Sequence, residues 1–366
     1  MEGKTISKLF DPIELNNIKL KNRIVMAPMT RSRAIGNIPN DLIAQYYRQR
    51  ATAGLIITEG VAPSPAGLGY ARTPGIYSAE QITGWKKVTS AVHEEGGKIF
   101  AQIMHSGRIG NVGNKPGGAA IMAPSAVRAQ GDIWTDTEGM QAIGIPHAMT
   151  TEQVRQTIED FANGAANAIE AGFDGIELHG ANGYLIEQFL NPNTSLRTDE
   201  FGGSIANRVH FVVELVKAVI DRIGKDKTAI RLSPYNQFND MALYEEIFAT
   251  YDLLTKELNK LGVVYVHVID RSALATEEGK ALITAMRKNY NGAYILNGGY
   301  TVERADEVLN SGLADLVSFG SSFIANPDLP YRLQHNIPLA QPDVNLFYSA
   351  GAEGLVDYPV ATETVA

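Results

Sequence analysis

The chain has 366 residues, no cysteine, and 32 basic against 40 acidic side chains, for a net charge of −8. Without cysteine there is no disulfide framework, thiolate zinc site or cysteine nucleophile, and no cysteine-held iron–sulfur cluster. The acidic balance, with no run of Lys and Arg, argues against a nucleic-acid partner, and 45% hydrophobic against 20% charged residues argues against disorder.

Met1-Glu2-Gly3-Lys4 leads into no apolar run of the signal-peptide kind. No stretch approaches the ~18 apolar residues of a membrane helix. A soluble cytoplasmic protein is expected.

Eight short apolar runs read as strands: RIVMAPM (23–29), LIITEG (55–60), KIFAQIMHS (98–106), GIELHGA (175–181), TAIRLSP (228–234), VVYVHVID (263–270), AYILNGG (293–299) and LVSFGS (316–321). They are rich in Ile, Val and Leu and do not alternate, the pattern of strands covered on both faces. A glycine precedes all but the first: Gly54, Gly96-Gly97, Gly172, Gly224, Gly262, Gly292 and Gly312. Glycine closes a helix in the left-handed conformation without steric cost, so each is expected to end the helix before its strand. Helices are predicted from Ser78-Ala79-Glu80-Gln81 onward and over 150–173, 205–223, 242–261, 280–290 and 301–311. Thr150 and Gln153 are spaced as a capping box. Val154, Ile158, Phe161, Ala165 and Ile169 then follow at helical spacing.

Eight strands alternating with helices predict an α/β fold, a closed (β/α)8 TIM barrel. The alternative is an open doubly wound sheet, which the missing G-x-G-x-x-G fingerprint weakens. A barrel needs roughly 250 residues. The surplus falls in an N-terminal lead (1–22), a Gly- and Pro-rich segment (107–149) containing Trp134, and a tail from about 337. The second follows strand three, so it emerges at the C-terminal face and reads as a cap over the mouth. No linker composition splits the chain, and residues 1–366 are expected to form one domain.

Barrel sites are built from the C-terminal ends of the strands. In order these carry Pro28-Met29-Thr30, Glu59-Gly60, Gln102 with His105, His179 with Asn182 and Tyr184, Arg231, Asp270-Arg271, Asn297-Gly298-Gly299 and Phe319-Gly320-Ser321. The last two endings read either as a phosphate site, where glycine lets backbone N–H groups approach an anion, or as ordinary turn glycines. No acid pair suits glycosidase chemistry. Of seven histidines, only His105 and His179 are placed near strand ends, too few for a metal. Gln, Asn, Thr and Arg together suit a hydrogen-bonding frame for a planar heterocycle, with a cofactor carrying the chemistry.

These residues carry a resemblance. NRIVMAPMTRSRA (22–34), AQIMHSGRIG (101–110), GFDGIELHGANGYLIEQFLNP (172–192), SLRTDEFGGSIANR (195–208), IANPDL (324–329) and AGAEGLVDYP (350–359) resemble the Old Yellow Enzyme family of FMN-dependent ene-reductases, close to bacterial N-ethylmaleimide reductases, over nearly the whole chain. The resemblance implies tightly bound, non-covalent FMN, reduced by NADPH or NADH in a ping-pong cycle. It implies reduction of the C=C bond of α,β-unsaturated carbonyls and maleimides by hydride from flavin N5. By position, Thr30 would bond the flavin C4 carbonyl. Pro28, Met29 and Gly60 would line the ring with backbone, Gln102 would bond the pyrimidine edge, and Arg231 would face N1 and C2=O. Gly298, Gly299, Gly320 and Ser321 would hold the phosphate. His179 and Asn182 would bind the substrate oxygen, Tyr184 would protonate the α-carbon, and Tyr70, Met104 and Tyr348 would form the substrate walls. No metal is implied. The partner is a small molecule, and a monomer or homodimer is expected.

Three departures stand out. Ser321 occupies the place of an Arg that usually grips the FMN phosphate, which implies weaker FMN binding. Met104 stands where an aromatic is common, and 271–279 is short and lacks tryptophan. Both imply a differently shaped pocket. Thr30 stands where another branch carries cysteine. The competing readings are a nitroester or nitroaromatic reductase using the same site, a flavin-free barrel lyase or hydrolase using His179 and Glu177, and a flavin-free binding module.

Overall fold

In the computed structural model, which describes residues 7–361, the eight apolar runs are the strands of one closed parallel barrel. They are β1 (Ile24–Met26), β2 (Leu55–Val61), β3 (Ile99–Ile103), β4 (Gly175–Gly180), β5 (Thr228–Leu232), β6 (Tyr265–Ile269), β7 (Ala293–Asn297) and β8 (Leu316–Phe319). Pairing of β8 with β1 closes the ring. The expectation for Met1–Lys4 falls outside the described residues.

Alternation along each strand divides the core. One face packs under the helices, as Val266 and Val268 do. The other fills the barrel. At the N-terminal end Val25, Leu55, Phe100, Ala229, Tyr265, Ile295 and Leu316 form a buried cluster with Leu15 and Leu20. Those two leucines come from an antiparallel hairpin, Ile13–Leu15 with Ile18–Leu20, so the lead is a plug for the barrel floor. Burying each leucine contributes about 1.5–3 kcal/mol. Towards the C-terminal end the interior turns polar: Gln102, Glu177, Arg231, His267 and Ser318 are all buried.

The predicted helices form, with capping boxes at Ser78/Gln81 and Thr150/Gln153. The helix expected from 242 begins at Ile247, and the preceding stretch is pinned where Asn191 Nδ2 donates to the Ala242 carbonyl at 2.8 Å. The one expected from 280 begins at Glu277, because Thr276 caps the Gly279 N–H. Asp41–Arg48, which was not predicted, is capped by Asn40. The glycine expectation fails at Gly54 and Gly292, which lack positive φ. There a Cβ would run into the Asn22 carbonyl or the Tyr290 hydroxyl, so close packing, not helix termination, requires glycine.

The segment 107–149 carries an antiparallel hairpin, Asp132–Thr135 with Gly139–Ala142. Lys115 ties it down, donating from Nζ to the Ala66 carbonyl at 2.6 Å and to that of Leu68. No helix among the described residues is long and apolar enough to cross a membrane.

Candidate active site

The turn after β4 organises the mouth. Asn182 and Gly183 take positive φ (58° and 74°), which reverses the chain so that Tyr184 opens the buried helix Leu185–Leu190. Glu187 holds this turn from beneath. Its Oε2 accepts from the Gly183 N–H at 2.6 Å and from the Ser233 hydroxyl at 2.9 Å. Ser233 Oγ accepts from the Asn182 N–H at 2.8 Å. Burial pushes the Glu187 carboxyl up to about 7 despite these donors.

That shift has a pH consequence. Against an ordinary value of 4.5, the folded chain keeps a proton that the unfolded chain has already released. The stability tied to that proton is full below about 4.5 and is lost as pH rises through about 7. Glu187→Gln cannot ionise and should shrink the fall in Tm between pH 5 and 8, read by thermal melts. Glu59, also pushed to about 7 by burial, leaves part of the slope. A variant slope equal to the wild type would contradict this assignment.

Tyr184 and Tyr70 share a hydroxyl–hydroxyl hydrogen bond of 2.9 Å. Burial raises the Tyr184 hydroxyl above its usual range, so it stays protonated. The His179 ring lies 5.1 Å from that of Tyr184. Burial, with the Arg231 charge adding to it, holds its imidazole well below the ordinary value. His179 is therefore neutral, and its buried Nδ1 has no partner among the described residues.

Beside this turn, Gln102 Nε2 donates to Glu177 Oε1 at 2.8 Å, and Arg231 Nη2 donates to Asn297 Oδ1 at 2.9 Å. Arg231 Nε is buried without a partner among the described residues. Burial lowers its guanidinium only to about 10, so it remains a cation. Unpartnered donors at a barrel mouth match a ligand that presents carbonyls and ring nitrogens, and a flavin fits that donor set.

A cavity of about 640 Å³ opens over the mouth, lined by Thr30, Tyr70, Tyr184 and Tyr348. The cap hairpin contributes Ile133, Trp134 and Met140 to it, so the expected cap is observed. A second groove of about 220 Å³ runs past Met29, Thr30, Ser321, Ile324 and Tyr348, joining the ends of β1 and β8. Pro28 is half-buried beside Met29. Gly60 packs against Met104, where a Cβ would strike the sulfur. Gly298 lies against the Asp270 carboxylate with no room for a Cβ, Gly299 has φ 76°, and Gly320 precedes the short helix Ser321–Ala325. Burial pushes Asp270 up to about 6.

Some expectations need correction. His179, Asn182 and Met104 are not among the residues that line the cavity. Met104 is buried in a small cluster with Tyr184, Ile109 and Ile133, of which Tyr184 and Ile133 do line it. His105 is buried, accepts from the Gly107 N–H at 3.0 Å, and is pushed down to about 3 by burial, so it is a structural group. No residue of 271–279 lines the cavity. Glu177 commits both oxygens, to Gln102 and to His267, and is fully buried, which removes it as an accessible acid for a lyase or hydrolase. Among the described residues no group of three or more His, Asp or Glu is placed to hold a metal.

Other residues escaped the sequence reading. Arg72 and Phe238 line the cavity from loops that carry no motif. His267 lies mid-strand inside the barrel, where counting from the strand ends overlooks it, although alternation from Tyr265 points it inward. Glu187 hides in LIEQFL, which reads as plain buried helix.

Comparison with known proteins agrees with this geometry. The profile of the NADH:flavin oxidoreductase / NADH oxidase family matches residues 8–340. The chain is 41% identical over 362 residues to 12-oxophytodienoate reductase 1 of Oryza sativa subsp. japonica, covering 97% of this chain and 93% of the relative. It is 39% identical to the "Probable flavin mononucleotide-dependent alkene reductase" of Leishmania infantum, covering 98% of each. Morphinone reductase in complex with tetrahydroNAD superposes with a TM-score of 0.92 at 40% identity, covering 97% of this chain and 98% of that one. The Old Yellow Enzyme homologue from Zymomonas mobilis gives 0.92 at 38%, covering 96% and 99%. With fold, mouth and nearly full-length identity in agreement, the chain belongs to the NADH:flavin oxidoreductase / NADH oxidase family, that of the Old Yellow Enzymes.

Proposed function

We propose that the chain is an FMN-dependent oxidoreductase that takes reducing equivalents from NADPH or NADH and reduces the C=C bond of activated alkenes, α,β-unsaturated carbonyls and maleimides. One observation carries this: protonated Tyr184 lines a 640 Å³ cavity, with the ring of neutral His179 buried 5.1 Å behind it, on the same mouth where the buried Arg231 Nε has no partner among the described residues. Printed names among the relatives, an alkene reductase and a 12-oxophytodienoate reductase, support it. The substrate is a small molecule, and the protein is taken as a cytoplasmic monomer or homodimer.

FMN, when bound, supplies the hydride. Thr30, Gln102 and Arg231 would hold its ring, with Pro28, Met29 and Gly60 as backbone lining and Gly298, Gly299, Gly320 and Ser321 around its phosphate. Arg231 suits the edge that gains negative charge because it stays protonated and presents a planar fork. His179 and Asn182 donate to the substrate oxygen, drawing electron density from the β-carbon. Donors placed in advance where charge develops are the main lever of such catalysis. Tyr184, protonated at neutral pH, gives its proton to the α-carbon, and Tyr70 holds the hydroxyl in place through the 2.9 Å hydrogen bond.

The test is an absorbance scan for flavin, anaerobic bleaching with NADPH, and recovery with cyclohexenone against a nitroester. A colourless protein that takes up no FMN overturns the proposal. Faster recovery with the nitroester favours the nitro reading.

Ser321 gives a second test. A charge-assisted hydrogen bond is worth about 1.5–3 kcal/mol, and the serine hydroxyl lacks that charge. Ser321→Arg should tighten FMN about tenfold, which is ~1.4 kcal/mol, read by fluorescence titration of the apoprotein. Unchanged affinity would mean that Ser321 does not face the phosphate.

A further inference from the structure

Beneath the mouth lies a polar chain that the proposed chemistry does not use. Glu177, on β4, is fully buried, as is His267 on β6. His267 Nδ1 lies 2.9 Å from Glu177 Oε2, and its Nε2 lies 2.8 Å from Ser318 Oγ. Gln102 Nε2 donates to Glu177 Oε1 at 2.8 Å. A carboxylate only accepts, so Nδ1 carries the proton and donates to Glu177. A neutral ring then accepts at Nε2 from the serine hydroxyl.

The charges follow. Burial works to raise the Glu177 carboxyl, but His267, the nearby Arg231 and the Gln102 donor outweigh it and hold it below the ordinary value. Burial, with Arg231 adding to it, pushes His267 down against the pull of Glu177. With Arg231 permanently charged, the low-energy state is one anion and one cation: Glu177 ionised, Arg231 protonated, His267 neutral. Tyr265, two residues before His267 on β6, belongs to the buried floor beneath this set.

Two effects reach the mouth. The bond to Glu177 fixes which end of the Gln102 amide points down, so the carbonyl oxygen is left for whatever the mouth holds. The Glu177 charge also offsets part of the Arg231 field that a ligand would feel. At the low effective dielectric of a buried site such a charge acts over several ångströms.

We propose that Glu177 is a positioning residue. Held by His267, which Ser318 anchors in turn, it orients the Gln102 amide and partly neutralises Arg231, and so limits how strongly the mouth stabilises negative charge on the flavin pyrimidine edge. This rests on the FMN reading above.

Sulfite is the probe. Its sulfur lone pair forms a bond to flavin N5 as the N5=C4a π bond breaks, and the ring takes up the electron pair as negative charge at N1 and C2=O, so sulfite sulfur is formally oxidised and the flavin reduced by the same two electrons with no other reagent. Its dissociation constant therefore reports how well the site holds that charge. Flavin content of the wild type is measured first, and a chain that takes up no FMN fails the FMN reading itself. With flavin present, Glu177→Gln should tighten sulfite at least tenfold and shift the flavin midpoint potential positive. Glu177→Asp, which keeps the charge, should stay within threefold of wild type. Sulfite affinity unchanged in Glu177→Gln overturns the proposal, and so do equal shifts in both variants, since a structural role alone would move both. Should Glu177→Gln fail to fold, the charge-neutral pair Glu177→Gln with Arg231→Gln decides. Recovery of a folded chain, read by thermal melts, supports the charge pairing, and failure of the pair to fold as well overturns it.

Discussion

Replacing His179 and Asn182 together by Ala should lower kcat/KM for an enone at least ~10³-fold while FMN affinity stays within about threefold. Loss of a single donor at a developing oxyanion costs about 10²–10³ in rate, and residues that act as a unit are not additive, so the double variant is compared with both single ones. The separation of the two readouts follows from placement. Arg231, Gln102 and Thr30, the proposed FMN contacts, come from β5, β3 and the end of β1. His179 and Asn182 belong to β4 and its turn. One control is needed. Asn182 has φ 58°, a conformation Asn tolerates better than Ala, so Asn182→Ala adds backbone strain of order 1 kcal/mol. Asn182→Gly removes the same side chain without it. If His179→Ala with Asn182→Gly turns over cyclohexenone as the wild type does, the substrate-binding assignment is wrong.

How much of this was legible in the sequence depends on where a residue sits relative to a repeating pattern. The eight strands were legible because burial on both faces forces continuous Ile/Val/Leu runs. The strand-end residues Thr30, Tyr184 and Ser321 followed from the barrel rule alone and line the cavity or its adjoining groove. His267 was missed for the opposite reason. It lies inside a strand, so only the alternation of β6 and the charge on β4, two strands away across the barrel interior, reveal it. Glu187 was illegible because its role depends on Gly183 and Ser233 meeting in space, and a carboxylate in an apolar helix gives no local sign of what it accepts from. Met104, placed by resemblance at the substrate wall, is buried against Gly60 and in one cluster with Tyr184 and Ile133, two residues that line the cavity.

Arg33→Ala should release the C-terminal tail from the mouth without unfolding the barrel. Arg33 is fully buried, yet five of its contacts are to a stretch some 300 residues away. Nη1 donates to the Phe347 carbonyl at 2.6 Å. Nη2 donates to the Leu346 and Glu353 carbonyls at 2.9 Å and to Ser349 Oγ at 2.6 Å, and Nε donates to Gly351 at 3.2 Å. This stretch has no strand and only the short 3-10 turn Val344–Leu346, and Val344 and Tyr348 are exposed. A guanidinium therefore does the work that apolar burial does elsewhere. Burial lowers its pKa only to about 10, so the charge persists at neutral pH. Arg31 retains part of the hold through Phe347 and Gly354. Losing several charge-assisted hydrogen bonds, partly replaced by water, should cost the tail about 3–5 kcal/mol. Each 1.4 kcal/mol is about tenfold in opening, so amide exchange across 344–356 should quicken at least ~10²-fold, while exchange in β1–β8 stays unchanged. Arg33→Lys, with the charge but without the planar fork, should fall between. Tyr348 lines both the cavity and the groove, so substrate KM should rise more than kcat falls. Tail exchange equal to the wild type in Arg33→Ala would show that packing of Phe347 and Leu355, not the buried arginine, holds the tail down.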